Sequence, residues 1–256
     1  MPAVNRLVSP ARALAAVAAV SAAGLLPMVP RLVGDGPPAG TPTGPPVAPA
    51  TALGQLPLRF EANHGQTDPS VQFLVRGTDF TAFLTGTGTV LARAGATPVR
   101  MQIMGSRPAP IVGQDRLPGV SNYLLGPDAR NWLTGIPAFG AVRQPGVRPG
   151  VDMTWYDDGG RLKYDVVVAP GTDPAGVEVS FAGARALRVD GRGDLIVETD
   201  GDDLRQERPV VYQDVDGRRQ PVSAAYDLRS TDRVGFELGP FDPNRPLVID
   251  PPSPRR

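Results

Sequence analysis

VDMTWYDDGGRLKYDVVVAPGTDP, residues 151–174, decides the fold class. Val151, Met153 and Trp155 alternate with Asp152, Thr154 and Tyr156. After the polar run Asp157-Asp158-Gly159-Gly160, Leu162, Tyr164, Val166 and Val168 alternate with Lys163, Asp165 and Val167. An apolar side chain at every second position is the period of a strand, whose successive Cβ atoms point to opposite faces; a helix would need a spacing of 3.6. The stretch therefore predicts a β-hairpin with Asp157 to Gly160 as its turn.

Outward from this hairpin the same period recurs in short runs. Strands are expected at 71–76, 80–84, 89–92 and 99–104, and then at 177–181, 187–189, 195–198, 210–213, 222–228, 233–238 and 247–250. Asp190-Gly191, Asp200-Gly201 and Asp216-Gly217 mark reversals, because Asp-Gly tolerates the positive φ of tight hairpin turns. Residues 105–150 are interrupted by Gly105, Pro108, Pro110, Gly113, Pro118, Gly119, Gly126 and Pro127. They predict one short strand at 122–125 and one helical turn at 128–132, packed by Trp132 and Phe139. More than ten short strands with turn signals between them, and no βαβ repeat, predict an all-β antiparallel β-sandwich. It is expected as one extended sandwich or as two packed sub-sandwiches divided near 140–150, with a closed barrel as the competing closure and little helix outside the N-terminal signal.

Composition narrows the classes of function. The 26 basic and 26 acidic residues cancel, so no global field draws the chain to nucleic acid. There is no cysteine, which removes disulfides, thiolate nucleophiles and Cys-ligated zinc, and Lys163 is the only lysine. Arg6 and Arg12 precede an apolar run that ends in Ser21, Ala22 and Ala23, the pattern of a secretory signal over 1–23; an uncleaved membrane anchor reaching 33 is the alternative, weakened by Pro27, Pro30 and Arg31. Residues 34–52, rich in Pro, Gly, Ala and Thr, read as a linker, with a further small-residue site at Ala50-Thr51-Ala52. The β-sandwich domain is expected over 53–251, followed by a tail over 252–256. Secretion or a cell-surface location is expected, with an extracellular protein or glycan as partner and no membrane contact once the signal is cleaved.

Chemistry-bearing candidates are few. His64 is the only histidine and lacks a G-x-S-x-G serine to serve, so Asn63-His64-Gly65-Gln66 reads as a polar turn. In Glu198-Thr199-Asp200-Gly201-Asp202-Asp203 the carboxylates of Asp200, Asp202 and Asp203 are spaced to converge on a calcium ion, although the glycine sits at the fourth place of the run and not the sixth of an EF-hand; solvent-facing turn residues are the simpler reading. Asp152 and Asp165 form a candidate carboxylate pair, and Trp155 and Tyr156, with Tyr164, a candidate aromatic platform for a sugar or peptide. Trp155 and Tyr156 are on opposite strand faces, so at least one belongs to the core. Arg192-Gly193-Asp194 spells a tripeptide that adhesion receptors read, but its glycine is explained by the turn.

A set of ordered stretches adds a resemblance. Phe60-Glu61-Ala62-Asn63-His64-Gly65-Gln66; Ser121-Asn122-Tyr123 with Gly126 and Trp132; Pro149-Gly150-Val151-Asp152 with Trp155-Tyr156; Leu162-Lys163-Tyr164-Asp165 with Val168-Ala169-Pro170-Gly171; Gly193-Asp194-Leu195; Pro209-Val210-Val211-Tyr212-Gln213; and Leu247-Val248-Ile249-Asp250-Pro251 follow one another over about 55–251. Together they resemble the β-rich N-terminal domain of unknown function that precedes SBBP-type β-propeller repeats in secreted bacterial proteins. The resemblance implies export, an all-β fold and a place in extracellular or cell-surface proteins, and it carries no catalytic residues. Such relatives continue past Ile-Asp-Pro into the propeller, whereas a function residing there is not expected of this sequence, which leaves a remnant of a longer protein as a third reading. The expectation is an exported structural or interaction module; a carbohydrate-binding or carbohydrate-active sandwich is the alternative.

Overall fold

The 151–174 stretch folds as its alternation requires. In a computed structural model that describes residues 57–251, strands Val151–Asp157 and Leu162–Val168 pair antiparallel from Val151↔Val168 to Asp157↔Leu162. Val151, Met153, Trp155, Tyr164, Val166 and Val168 all enter one buried core. The expected signal, anchor, linker and tail lie outside the described residues.

Numbered along the chain, the strands are β1 Phe60–Ala62, β2 Val71–Arg76, β3 Thr81–Thr85, β4 Gly88–Ala92, β5 Val99–Ile103, β6 Val112–Tyr123, β7 Leu133–Arg148, β8 Val151–Asp157 and β9 Leu162–Val168. They continue as β10 Val179–Ala182, β11 Ala186–Val189, β12 Leu195–Glu198, β13 Leu204–Gln206, β14 Val210–Val215, β15 Arg218–Val222, β16 Ala224–Leu228, β17 Arg233–Leu238 and β18 Leu247–Asp250. Helix is confined to single 3-10 turns at Ala129–Asn131 and Pro174–Gly176. Among the described residues no helix is long and apolar enough to cross a membrane.

The protein is all-β, with large antiparallel sheets arranged as a β-sandwich and no closed barrel. Hydrogen bonding runs through the order β15-β14-β18-β9-β8-β7-β1-β2-β3-β4-β5-β10-β17-β16, with β6 on β7. The path parts at β7. Ala141 pairs with Gln114 of β6 and Tyr156 of β8, whereas Phe139 pairs with Arg116 of β6 and Phe60 of β1. A strand has only two edges, so β8 and β1 follow one another along the edge that β6 leaves free. There the layer of β8, β9, β18, β14 and β15 separates from the layer that begins with β1 and β2. The layers meet again at Ser223, the one residue between β15 and β16, which pair with different strands. Gly239 donates its N–H to the Ser223 carbonyl at 2.8 Å, and a Cβ on Gly239 would lie 2.0 Å from Ser223 Oγ. A side chain at 239 would require the exposed Ser223 hydroxyl to turn away.

The space between the layers is filled by one cluster drawing on β1 through β18, including Phe60, Leu84, Ile103, Val142, Leu247 and Ile249. A three-stranded sheet, β11-β12-β13, adds Leu187, Leu195 and Val197 to the same cluster. The division considered near 140–150 falls inside β7.

Two expectations are corrected. Residues 105–150 hold two of the longest strands, β6 and β7, and not one short strand. Their glycines and prolines are tolerated because β6 has a partner on one side only, and because the β6–β7 and β7–β8 registers shift between Arg116 and Val120 and between Gln144 and Arg148. The 3-10 turn forms where expected, capped by the Asp128 side chain on Arg130 N, but Trp132 does not pack it. Trp132 is exposed and its indole N–H donates to the Gly126 carbonyl at 3.0 Å; Phe139 instead meets Phe73 edge-on at 5.7 Å. Asp216-Gly217 is the two-residue turn joining β14 and β15, with φ of 51° and 76°.

Candidate functional site

Where the two layers part, the end of the sandwich is left open as a cleft of about 1250 Å³. One wall is the turn Asp158-Gly159-Gly160-Arg161 between β8 and β9, and the other is the turn Arg76 to Phe80 between β2 and β3. Asp202 to Gln206, leading into and through β13, closes a third side. The floor is apolar. Trp155, Tyr164, Met101 and Phe181 are core residues seen from their edges, and the half-buried Phe80, Leu91, Leu162 and Leu204 stand nearer the opening.

The walls are fixed by polar side chains at the point of separation. Asp157 accepts from Leu58 N at 3.1 Å and from Gly160 N at 2.8 Å, so one carboxylate both shapes the β8–β9 turn and ties it to the approach of β1. Across the cleft Glu61 accepts from Ser121 Oγ at 2.6 Å, from Arg76 Nη1 at 3.1 Å and from the Tyr123 hydroxyl. The Arg76 guanidinium also lies 5.3 Å from the Tyr123 ring centroid. Burial first, then the hydrogen bond to Glu61, pushes the Tyr123 hydroxyl up to about 12, so it remains a neutral donor.

The rim balances five arginines (Arg59, Arg76, Arg93, Arg161, Arg205) against five carboxylates (Glu61, Asp79, Asp158, Asp202, Asp203). Several are committed. Arg205 bridges Asp190 and Asp194 at 2.5 Å each, Arg161 pairs with Asp158, and Arg93 donates to the Asp202 carbonyl. Arg59 is exposed and has no ion pair among the described residues, and the Asp202 carboxylate likewise faces solvent.

The residues singled out in the sequence are distributed over three places. Trp155, Asp202 and Asp203 line the cleft, Trp155 as floor with its ring 5.0 Å from that of Tyr164. Asp200 turns away to Thr97 N at 2.8 Å and to the Thr97 hydroxyl, which holds its carboxyl below the usual range, while Asp203 accepts from Thr199 N at 3.2 Å. Among the described residues no group of three or more His, Asp or Glu side chains is gathered as a metal would require. Asp152, Tyr156 and Asp165 point to the outer face of the β8–β9 layer. Asp152 pairs with Arg143 at 2.5 Å and caps Gly146 N at 2.7 Å, and Asp165 accepts from the Tyr156 hydroxyl at 2.9 Å. Burial raises Asp165 above the usual aspartate value and does the same to Tyr156. Asp194 of the Arg-Gly-Asp run is buried against Arg205 and Arg208 N, leaving no open tripeptide.

Sequence reasoning did not find Arg59, Phe80, Arg93, Arg161 or Leu204. They come from five separate turns and strand ends, and no spacing links them. The one signal within reach was that Glu61 and Ser121-Asn122-Tyr123 belong to the stretches that carry the resemblance, and these stretches meet in space.

The family model for a domain of unknown function (DUF7948) matches residues 60–252. The chain belongs to this family. No curated protein and no solved structure matches it. The boundaries of the DUF7948 match coincide with the first and last strands, Phe60 opening β1 and Asp250 closing β18. The DUF7948 match thus comprises both layers, the three-stranded sheet and the lining of the cleft except Pro57, Leu58 and Arg59.

Proposed function

We propose that this DUF7948 domain is an exported, non-catalytic recognition module, acting at or beyond the cell surface, whose cleft holds a segment of another polypeptide. The observation that carries this reading is the cleft itself: an apolar floor between two rigid turns, rimmed by both signs of charge. Such a lining suits a chain that alternates apolar and charged side chains, which bury against Phe80, Leu91 and Leu204 and pair with Arg59 and Asp202. A glycan-binding sandwich would present an aromatic face for stacking, and here Trp155 and Tyr164 are each only 4% exposed. Export and an association with SBBP-type propellers rest on the N-terminal signal pattern and on the sequence resemblance. They are tested by fractionating the expressing cells.

Binding is tested by panning a random-peptide display library and, in parallel, a glycan array with a reducing-sugar assay on the purified protein. The expected result is selection of peptides of mixed apolar and charged character, with affinity reduced at least about tenfold, or ~1.4 kcal/mol, by Leu204→Glu and by Phe80→Asp. Trp132→Ala, outside the cleft, should leave affinity unchanged. Glycan binding or sugar release without peptide selection would replace this reading with the carbohydrate one.

A further inference from the structure

The outer face of the β8–β9–β18 layer carries a cluster that the cleft does not use. Lys163 on β9 lies with Nζ 3.0 Å from Asp250 Oδ1 and 3.3 Å from Oδ2 on the neighbouring strand β18. The two side chains are 11% and 17% exposed. Oδ1 is buried and satisfies no hydrogen-bond geometry, even with Nζ so near. Asp165 stands on the same face, one step along from the pair Val166↔Ile249 and therefore opposite Asp250. Its carboxyl is positioned by the Tyr156 hydroxyl at 2.9 Å, and the Tyr156 ring lies 5.6 Å from Nζ.

We propose that Lys163 and Asp250 are joined by an intramolecular amide bond, formed after folding with Asp165 as the proton carrier. The two oxygen distances leave Nζ roughly 3–3.5 Å from Cγ, the separation of a near-attack arrangement. The ammonium first passes a proton to the Asp250 carboxylate. The neutral amine then attacks Cγ, Asp165 relays a proton from nitrogen to the departing hydroxyl, and water leaves. One ammonium and one carboxylate become one amide and one water, with no oxidant, reductant or cofactor. A second carboxyl beside the pair, held in place by the Tyr156 hydroxyl, is what such a relay needs. Burial raises Asp165 and Asp250 adds to that rise, against the lowering effects of Tyr156 and Lys163. A site poor in water also lowers the cost of the neutral amine and acid and protects the amide once made.

Residue choice points the same way. All other basic residues of the chain are arginine, and an ion pair alone is well served by a guanidinium. Position 163 carries the chain's only side-chain amine that a carboxyl could acylate. The chain has no cysteine, and this bond would close the chain from β9 to β18, the last strand, without one.

The test is intact-mass and tryptic analysis of the purified full chain after denaturation. The expected result is a mass lower by one water, no cleavage after Lys163, and a branched peptide joining the segments that contain Lys163 and Asp250. Lys163→Arg should show the mass its sequence requires while keeping the ion pair and the fold. Asp165→Asn should fold, by near-ultraviolet circular dichroism, yet lack the branched peptide. Cleavage after Lys163 in the wild type with no mass loss would overturn the bond. A branched peptide in Asp165→Asn would overturn the part assigned to Asp165.

Discussion

Replacing Gln213 with leucine isolates the contribution of one buried polar side chain to the frame. Gln213 is on the inward side of β14 and only 4% exposed. Its Oε1 accepts from Asp242 N at 2.8 Å and its Nε2 donates to Asp242 O at 2.8 Å, with Arg245 O and Pro246 O at 3.3 and 3.4 Å. The side chain therefore acts as a stand-in strand edge for the connection that brings β17 to β18. Leucine occupies a similar volume, so the cavity cost is small and the loss is polar. Asp242 is itself exposed, so water takes up part of what is lost: each broken hydrogen bond costs about 0.5–1.5 kcal/mol, offset in part by burial of the leucine. The net is a destabilisation of about 1–2 kcal/mol, or roughly 2–8 °C in Tm for a domain of this size. Urea unfolding and a thermal scan measure it, and limited proteolysis should place the first new cut within 239–246. Gln213→Glu keeps the acceptor and loses the donor, so it should be destabilised as well. A change below about 0.5 kcal/mol for Gln213→Leu, within the range of a neutral surface substitution, would refute the assignment.

Two further perturbations address the edges of the sandwich. Because the folded state holds the Tyr123 hydroxyl at about 12, above its ordinary value of 10.0, the stability it contributes is complete below the ordinary value and is lost as pH rises through about 12. Tyr123→Phe should flatten the fall of unfolding free energy in that alkaline window, measured by urea titrations at stepped pH; an unchanged slope would contradict it. Gly239→Ala places a methyl group where Ser223 Oγ now lies at the point where the two layers rejoin, and because that exposed hydroxyl can turn to another rotamer it should cost no more than about 1 kcal/mol by thermal unfolding. Adding Ser223→Ala should recover part of that loss, and no recovery would mean that the close approach is not the cause.

The hairpin at 151–174 was legible because strand geometry alone sets its alternation, and the Trp155 and Tyr164 positions in it already implied an inward face. The strands β6 and β7 were not legible. Gly113, Pro118 and Gly119 read as breaks, and what overrides them is tertiary: β6 leaves one edge unpaired, and bulges absorb the irregular residues. The cleft was hidden for a different reason. Asp158, Gly159 and Gly160 are fully explained as turn residues, and so is Asp202, so their second role as walls depends on contacts no local pattern encodes. Asp165 and Asp250 were visible as members of separate stretches, yet only the register of β9 with β18 brings them together.

The stretches that carry the family resemblance build the frame and floor, and largely avoid the rim. Asn63 donates to the carbonyls of Asp68 and Val71 at 2.9 and 2.8 Å, closing the loop between β1 and β2. Gln213 closes the loop between β17 and β18, Glu61 gathers Ser121 and Tyr123, and Gly150, at φ 72°, turns β7 into β8 beside Thr172. Trp155, Leu162 and Tyr164 supply much of the floor. Arg59, Phe80, Arg93, Asp158, Asp202 and Leu204, by contrast, lie outside all of those stretches, in turns and strand ends, with Arg59 and Asp202 exposed and the other four half-buried. A frame held by buried polar side chains and a rim carried on turns are separable in energy: changing Arg59 or Asp202 alters the charge of the rim without touching Asn63, Glu61 or Gln213. Within one such fold the charge of the rim can therefore change while the core and the two joints between the layers remain the same.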